Sequence, residues 1–370
     1  MKIALDAKRA FHNNRGLGNY SRDTIRILKR FSTDELLLLN PSTRHNLPFD
    51  EARGLQVLTP RCQNAVSAAL WRSYGCSADL RKQGVRLFHG LAQEMPLGLK
   101  GSGIRTVVTM HDLIFLRYPH LYPALYRQIF TQKNRYACQA ADHLIAISGQ
   151  TKQDLVDFLR ADPEKITVVY QGCNPVFRQQ ATVEQLAEAR VKYSLPDNYL
   201  LFVGAIEPRK NIATLLEGLR SCHYDLPLVV VGRETGYTPE LLEKARQLGV
   251  SDRLLIRTSV MTADLPLLYQ GASIFLYPAI FEGFGIPILE ALCSHTPVIT
   301  STGSCFRETG GPDSLYVPYD DGEAMGEAID RVLSDSSLRE RMVRSGLVWA
   351  GRFTDEEIAK NLQQLYQKIV

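Results

Sequence analysis

The sequence predicts an α/β protein built from two doubly wound parallel sheets of Rossmann-like type. Short apolar runs alternate with amphipathic helical patterns along the 370 residues, as expected for parallel strands joined by crossover helices. A polar stretch at residues 182–198 interrupts the alternation, which then restarts, and this indicates a boundary between two domains. A chain of this length with 45% hydrophobic residues is large enough to bury two cores.

The predicted first domain covers residues 1–178, and the second covers residues 195–352. Strands of the first are predicted at residues 2–7, 36–40, 55–59, 85–90, 105–112, 142–148 and 165–172. Strands of the second are predicted at residues 199–204, 228–233, 254–256, 273–278, 297–301 and 315–317. Helical patterns fill the connections, including one amphipathic helix predicted at residues 65–83.

The stretch at residues 281–290, FEGFGIPILE, follows an apolar strand and precedes a helix. Pro287 suits the first helical position, where its missing N–H costs nothing. The free N–H groups and the dipole of a helix start attract an anion such as phosphate. Glu282 lies before that point, and Glu290 is predicted in the first turn after it. Two carboxylates around a phosphate cradle suit a ligand with hydroxyls on both sides of a phosphate, such as a sugar nucleotide.

A second glycine-containing loop is predicted at residues 13–20, between the first strand and a helix that runs through Phe31. Gly16 and Gly18 would place backbone N–H groups at the start of that helix. The dinucleotide fingerprint needs a third glycine, which the following residues do not supply, and no suitably placed acidic residue follows a second strand. Classical NAD binding is therefore disfavoured.

His111 and Asp112 stand at the carboxyl end of the strand predicted at residues 105–112. Side chains at this end of an open parallel sheet point into the ligand crevice. Both are therefore candidate site residues. The plainer alternative is that His111 caps a buried turn.

The net charge of +4 is unevenly distributed. Residues 1–178 hold 25 Lys and Arg against 14 Asp and Glu, a net +11, and the remainder holds 18 against 25, a net −7. A basic half indicates contact with an anionic lipid surface or a phosphate-bearing substrate, and a solvated face is the alternative. The predicted helix at 65–83 could lie on such a membrane through Arg72, Arg81 and Lys82, or could be an ordinary packed helix.

Several classes of protein are disfavoured. The seven cysteines form no C-x-x-C pair and are expected to be small buried hydrophobes. The N-terminus enters a strand without a signal-peptide core, and no apolar run is long enough to span a membrane, so we expect a cytoplasmic protein. Nucleic-acid binding is not expected, because the basic half lacks interleaved aromatic and basic motifs.

Taken together, these residues resemble the retaining glycosyltransferases of family four. The resemblance rests on the N-terminal glycine loop, on residues 204–211, on Val231-Gly232-Arg233, and on Glu282 and Glu290 with seven residues between them. It covers essentially the whole chain and implies the GT-B fold, two Rossmann-like domains facing each other across a cleft. It also implies that a helix at about residues 353–370 returns to the first domain. Residues 111–114 and 207–211 look most like bacterial mannosyl- and deoxyhexosyltransferases of surface polysaccharide (O-antigen) assembly.

The resemblance implies a role for each candidate residue. Lys210 and Arg209 would hold the donor diphosphate, Glu282 the hydroxyls of the transferred sugar, and Glu290 the ribose hydroxyls. The remaining donor-binding positions are Gly16, Gly18, Gly204, Arg233, Val260, Phe284, Gly285 and Ile286. Among these, Phe284 and Gly285 would offer backbone N–H groups, Arg233 and Val260 would lie near the base, and His111 would sit near the sugar and the acceptor.

The implied reaction moves a hexose, with mannose from GDP-mannose as the first choice, to a glycan or lipid-linked saccharide. No Asp-x-Asp motif with a hydrophobic flank is present, so neither a metal nor another cofactor is expected. No carboxylate is evident behind the anomeric carbon, which favours same-face attack over a covalent intermediate. Many relatives carry an arginine directly after the glycine that corresponds to Gly204, whereas this chain has Ala205, and Arg209 would substitute for it.

Other readings stay open at this point. The donor could instead be a UDP- or ADP-hexose or a GDP-deoxyhexose. A sugar-nucleotide 2-epimerase shares the fold, and a catalytically inactive sugar-nucleotide-binding module would keep the same residues. A polysaccharide phosphorylase would need a pyridoxal-phosphate lysine in a longer chain.

Overall fold

The computed structural model describes residues 1–43, 47, 49–61 and 64–370. These divide into two compact units, Met1–Gly172 with Thr354–Val370, and Cys173–Phe353. No helix in the described ranges is long and apolar enough to cross a membrane. Cys62 lies outside the described residues, and the other six cysteines form no disulfide.

The first unit contains a seven-stranded sheet in which every pairing is parallel. Its strands are β1 (Lys2–Asp6), β2 (Glu35–Leu39), β3 (Gln56–Leu58), β4 (Leu87–Gly90), β5 (Arg105–Met110), β6 (His143–Ala146) and β7 (Ile166–Val168). They are arranged in the order β3-β2-β1-β4-β5-β6-β7. The central strands are buried along most of their length and therefore read as apolar runs.

Helices cover this sheet. They are α1 (Lys8–His12), α2 (Gly16–Phe31), α3 (Ala65–Leu70), α4 (Cys76–Lys82), α5 (Ile114–Arg117), α6 (Ala124–Ala140) and α7 (Gly149–Leu159), with one more from the chain's end. Between α3 and α4, Trp71–Gly75 form a π-helical turn. The single helix predicted at 65–83 is therefore interrupted in its middle.

The second unit contains a six-stranded parallel sheet. Its strands are β8 (Leu200–Val203), β9 (Leu228–Val231), β10 (Leu254–Arg257), β11 (Ile274–Tyr277), β12 (Val298–Ser301) and β13 (Leu315–Val317), in the order β10-β9-β8-β11-β12-β13. Its helices are α8 (Val183–Tyr193), α9 (Ile212–Ser221), α10 (Thr238–Leu248), α11 (Leu265–Gly271), α12 (Ile286–Cys293), α13 (Phe306–Gly310), α14 (Gly322–Ser334) and α15 (Ser336–Ala350).

The second unit begins at Cys173, whereas its predicted start was residue 195. The intervening residues pack on the unit that follows them. Phe177 makes an edge-to-face contact with Tyr269, with ring centroids 5.8 Å apart, and the Ala181 N–H donates to the Gln270 side chain at 2.9 Å. A polar helix that looks like a linker in the sequence is therefore part of the domain.

The last helix, α16 (Asp355–Ile369), belongs to the first unit. The Asp355 carboxylate accepts two hydrogen bonds from Arg26, and the Tyr366 hydroxyl lies 2.6 Å from His89 Nδ1. Tyr366 is fully buried, so α16 contributes to the core of the first unit.

Arg72 lies in the π-helical turn. It was predicted to face solvent, but its side chain points into the first unit. It is ion-paired with Asp6 at 2.5 Å and with Glu94, and its side chain is 20% exposed. The prediction that Arg72 contacts a membrane is therefore wrong, whereas Arg81 and Lys82 are exposed.

Candidate active site

The topological switch point of the second sheet lies between β8 and β11. From these two strands the chain winds to opposite sides of the sheet, and ligands of open α/β sheets bind outside the strand ends at such a point. The loop after β8 contains a 3₁₀ turn at Pro208–Lys210, and the loop after β11 leads into α12. The Ile280 N–H donates to the Arg209 carbonyl at 3.0 Å, which joins the two loops.

Glu282, Lys210 and Arg209 form one ion-pair cluster in these loops. Glu282 Oε1 accepts hydrogen bonds from Arg209 Nη1 and from Lys210 Nζ, each at 2.6 Å. The side chains of Glu282, Lys210 and Arg209 are 14%, 12% and 17% exposed. Two neighbouring cations thus meet at one carboxylate oxygen of a residue that lies 72 positions after Lys210 in the sequence.

Tyr277, the last residue of β11, completes this cluster. Its hydroxyl accepts a hydrogen bond from Lys210 Nζ at 2.6 Å and donates one to Glu282 Oε1 at 3.2 Å. Its ring is fully buried and stacks on Phe202, with centroids 5.9 Å apart. Tyr277 was not among the site residues predicted from the sequence. The signal was a polar group at the end of an apolar strand, the same rule that indicated His111.

The charges of the cluster are balanced. Arg209 Nη2 also pairs with Glu207 at 2.9 Å, so two cations face two carboxylates. Burial acts to raise the pKa of Glu282, but Lys210 and Arg209 outweigh it and hold that pKa below its ordinary value. Glu282 is therefore ionised at neutral pH and anchors both cations at the strand ends. Within the described residues, no group of three or more His, Cys, Asp or Glu side chains could hold a metal ion.

The start of α12 lies next to this cluster in the chain. Gly285 is its N-cap with φ 86° and ψ 46°, a left-handed conformation that favours glycine. The helix begins at Ile286, so Pro287 is the second helical residue. The sequence had predicted Pro287 at the first position. In the described part of the chain, the N–H groups of Gly285 and Ile286 donate to no acceptor. This helix start therefore has the donors that an anion needs.

The Phe284 ring has a packing role, and Glu290 occupies a position that differs from the predicted one. The Phe284 side chain is buried and packs edge-to-face on Phe353, with centroids 5.6 Å apart, so its ring is structural. Glu290 lies in the second turn of α12, not the first, and its Oε2 accepts a hydrogen bond from the buried Tyr269 hydroxyl at 2.9 Å. Glu290 is therefore oriented by a side chain of α11.

Gly204, Arg233 and Val260 follow the carboxyl ends of β8, β9 and β10. The Gly204 N–H donates to the Val231 carbonyl at 2.9 Å, and the Arg233 carbonyl accepts from the Ile206 N–H at 3.0 Å. The Arg233 side chain is exposed, and Val260 is half-buried in the loop after β10. All three thus line the same edge of the sheet as the ion-pair cluster.

Gly16 and Gly18, in the first unit, lie inside a helix rather than in the predicted loop. Helix α2 begins at Gly16, and the unpredicted α1 precedes it. A Cβ atom at Gly18 would lie 1.7 Å from the Asn13 carbonyl oxygen, whereas one at Gly16 would meet nothing within 4 Å. Gly18 is therefore required by close backbone packing within the first unit.

His111 is buried at the end of β5. Its Nε2–H donates to the Leu91 carbonyl at 2.8 Å, and its ring contacts Tyr20 edge-to-face at 4.6 Å. Burial lowers the pKa of His111 to about 4. The imidazole is therefore neutral at pH 7, with the proton on Nε2 and an unprotonated Nδ1.

The sequence matches two family descriptions that together cover most of the chain. Residues 16–177 match the family described as Glycosyltransferase Family 4, and residues 187–349 match the one described as Glycosyl transferases group 1. These matches meet near the point where the second unit begins.

Two curated relatives have related names. O-antigen chain mannosyltransferase B of Escherichia coli is 26% identical over 287 residues, 76% of this chain and 74% of the relative. O-antigen chain mannosyltransferase RfbU of Salmonella typhimurium is 29% identical over 225 residues, 61% of this chain and 60% of the relative.

The fold is shared with a solved sucrose-phosphate synthase from Thermosynechococcus elongatus. The TM-score is 0.79 at 21% identity, and the match covers 100% of this chain and 98% of the other. At this identity the likeness concerns the fold alone. It confirms the predicted pair of parallel-sheet, Rossmann-like domains.

Proposed function

Because the chain belongs to the glycosyltransferases that combine a family 4 domain with a group 1 domain, we propose that it transfers a hexose, with retention, from a nucleotide sugar to a glycan or lipid-linked saccharide. GDP-mannose is the proposed donor and mannose the transferred sugar, since both relatives are named mannosyltransferases. The observation that carries the proposal is the convergence of Lys210, Arg209 and Glu282 beside a helix start with free N–H groups.

The donor diphosphate would bind between these groups. Lys210 offers a point charge and Arg209 a planar fork that can hold two oxygens. The N–H groups of Gly285 and Ile286 add neutral donors aimed at the same kind of ligand. Glu282 would then exchange part of its contact with the cations for hydrogen bonds from sugar hydroxyls. Glu290 would accept the ribose hydroxyls, with the base near Arg233 and Val260.

The proposed chemical step is same-face displacement at the anomeric carbon. The bond from that carbon to the phosphate oxygen breaks, and its electron pair stays on the phosphate. The acceptor oxygen bonds to the carbon on the same face, and its proton passes to the leaving phosphate. Lys210 and Arg209 stabilise the growing negative charge, without a metal ion in this proposal. The neutral His111 would accept a hydrogen bond at Nδ1 from the sugar or the acceptor.

Contact of the first unit with an anionic membrane is a separate part of this proposal. Val66, Leu70 and Tyr74 are 70%, 57% and 57% exposed on α3 and the π-helical turn, and Arg81 and Lys82 follow on α4. Apolar and basic side chains on one segment are typical of interfacial binding. Binding to anionic vesicles should weaken for a Leu70→Ser, Tyr74→Ser variant. Equal binding would remove this part, and the cytoplasmic location stays a prediction.

A thermal-shift screen with GDP-, UDP- and ADP-sugars tests the donor, because a bound ligand raises the unfolding temperature by mass action. Stabilisation by GDP-mannose alone is the expected result. Preference for another nucleotide sugar would move the proposal to that donor. Conversion of the donor sugar without any acceptor would indicate a 2-epimerase, and donor binding without turnover would indicate an inactive binding module.

A further inference from the structure

The turn that carries Glu282 is held by a neighbouring loop that the proposed mechanism does not use. This loop, residues 302–305, follows β12, and β12 pairs with β11 in the second sheet. The strands are parallel, so the loops after both lie at the carboxyl edge of the sheet, where the ion-pair cluster is located. Ser304 and Cys305 in the loop after β12 both bind the backbone of Glu282.

Ser304 makes two hydrogen bonds to this one residue. The Glu282 N–H donates to Ser304 Oγ at 3.1 Å, and the Ser304 hydroxyl donates to the Glu282 carbonyl at 2.9 Å. A hydroxyl can donate and accept at the same time, so one side chain satisfies both backbone groups of Glu282. These two groups belong to the peptide units on either side of the Glu282 Cα. Binding both to one oxygen therefore fixes the atom from which the carboxylate side chain extends.

The backbone of Ser304 has a conformation that serine rarely adopts. Its φ is 49°, in the left-handed region, which is uncommon outside glycine, asparagine and aspartate. Such conformations persist where the surrounding structure holds them, and they cluster at functional sites. Glycine would adopt this φ without strain but could not supply a hydroxyl. The chain thus has serine at a position where the backbone alone favours glycine, and the two hydrogen bonds to Glu282 account for the serine.

Two neighbours of Ser304 hold the same turn. The buried Cys305 thiol donates to the Glu282 carbonyl at 3.3 Å, and burial raises the pKa of this thiol well above its ordinary value, so it keeps its proton. The Thr309 hydroxyl, on α13, donates to the Phe284 carbonyl. Phe284 directly precedes the start of α12. Thr309 therefore holds the end of the turn that leads to the free N–H groups, and Ser304 holds the end that carries the carboxylate.

We propose that Ser304 is a positioning residue for sugar transfer, which fixes the backbone of Glu282 so that its carboxylate faces the hydroxyls of the donor sugar. This inference rests on the proposed function, in which Glu282 binds those hydroxyls. Ser304 acts through Glu282 rather than by contact with the substrate. Because Thr309 holds the other end of the turn, loss of the Ser304 hydroxyl displaces Glu282 and leaves the N–H groups at the start of α12 in place.

The test replaces Ser304 with glycine and uses Ser314→Gly as the matched control. Ser304→Gly removes the hydroxyl and keeps the left-handed turn without strain. Ser314 is a buried serine of the same unit, and its hydroxyl donates to the Gly310 carbonyl at 2.7 Å. A misplacement of about 1 Å can cost about 100-fold in rate. We therefore expect the kcat for sugar transfer to fall at least about tenfold in Ser304→Gly and to keep its wild-type value in Ser314→Gly.

A second measurement separates positioning from a general loosening of the site. The nucleoside diphosphate of the donor lacks the sugar, so it needs the N–H groups of α12 but not the contact of Glu282 with sugar hydroxyls. We expect it to raise the unfolding temperature of Ser304→Gly by as much as that of the wild type. Loss of this shift together with kcat would show that Ser304 supports the whole turn, and would overturn the proposal.

The proposal is also overturned by a wild-type kcat in Ser304→Gly, or by an equal loss of kcat in both variants. A wild-type chain that transfers no sugar contradicts the proposed function instead. Amide hydrogen exchange measured by NMR then decides on Ser304. Faster exchange of the Glu282 N–H in Ser304→Gly than in Ser314→Gly shows that Ser304 fixes Glu282, and equal exchange overturns that role.

Discussion

The two sheets carry similar sets of charges at their switch points, but arrange them differently. In the first unit, the Arg72 guanidinium spans two carboxylates, Asp6 and Glu94. In the second, Lys210 and Arg209 converge on one oxygen of one carboxylate, Glu282. In the first unit Lys133 lies near Glu94, and in the second unit Glu207 pairs with Arg209. Lys8 also acts on Asp6 and Glu94, so the first set has three cations against two anions, whereas the second has two of each.

What distinguishes the two sites is what surrounds the charges. Next to Glu282 in the chain, the start of α12 offers the N–H groups of Gly285 and Ile286, which donate to no acceptor within the described residues. At the first switch point, the two terminal nitrogens of the Arg72 guanidinium bind Glu94 and Asp6, and the buried Nε has no partner among the described residues. The second switch point therefore combines its charges with free backbone N–H groups, as the proposed diphosphate site requires.

Removing the cation of the first unit is expected to have the largest effect. Arg72→Ala leaves Asp6 and Glu94 buried without their main partner, which costs about 3–5 kcal/mol. The urea-induced unfolding of the first unit measures this. Arg53→Ala is the control, because the Arg53–Asp50 pair is 83% and 74% exposed and should contribute little. Equal transitions for the two variants would show that the buried network does not stabilise the unit.

Removing the cation of the second unit should instead affect turnover. Lys210→Ala is expected to reduce sugar transfer about 10²–10³-fold, the effect of losing one donor to a developing negative charge, about 2.7–4 kcal/mol. Initial rates with the donor identified by the thermal-shift screen measure it. Lys244→Ala, which breaks the more exposed ion pair with Glu217, is the control. A Lys210→Ala variant as active as this control would remove Lys210 from the site.

Acid is expected to destabilise the two units at different pH values, an effect of intermediate size. Burial lowers the pKa of His89 to about 3 and that of His111 to about 4, whereas the unfolded chain takes up these protons near pH 6.5. Above pH 6.5 these histidines leave the free energy of unfolding unchanged. Below pH 6.5 the unfolded chain binds more protons, so that free energy falls by about 1.4 kcal/mol per histidine per pH unit. Asp23, whose pKa burial raises to about 6, opposes this in part.

The Glu282 pKa, by contrast, is lowered, so its contribution is lost only below the ordinary range of a glutamate. We therefore expect the first unit to unfold at a higher pH than the second. Hydrogen exchange followed by mass spectrometry at pH 7, 6 and 5 would resolve the two units. Simultaneous loss of protection would contradict the difference between them.

The smallest expected effect tests Tyr277. Tyr277→Phe removes the hydroxyl that joins Lys210 to Glu282 and keeps the ring. A hydrogen bond to a charged group contributes about 1.5–3 kcal/mol, so kcat should fall at least about tenfold. Tyr199→Phe, which loses a buried hydroxyl bonded to the Leu268 carbonyl, should lose stability but keep its kcat. Unchanged kcat in Tyr277→Phe would show that the hydroxyl does not position the cluster.

Local chemistry made the second site largely predictable. The strand, the glycine turn and the helix at residues 274–293 follow from an apolar run, a left-handed glycine and a tolerated proline. The position of Lys210 follows from the rule on strand ends. Sequence could not show that the cations are anchored by Glu282, because that contact joins residues 72 positions apart.

The first site could not be predicted from the sequence. Arg72 is 66 positions from Asp6 and 22 from Glu94, and it lies on a π-helical turn that periodicity does not reveal. A charged residue in an amphipathic pattern is usually a surface residue, which is why Arg72 was grouped with Arg81 and Lys82 as a candidate membrane contact beside the alternative of an ordinary packed helix. Helix α1 was missed for a related reason, since five residues are too few to show a helical period.

Helix α16 has a consequence for the order in which the chain folds during synthesis. Domains generally fold as units as they emerge from the ribosome, and the whole of Cys173–Phe353 emerges before α16 does. The second unit is thus fully synthesised while the first still lacks Asp355 for Arg26 and Tyr366 for His89. Until α16 is synthesised, Arg26 and His89 lack these hydrogen-bond partners. The unit that begins the chain is the last to be finished.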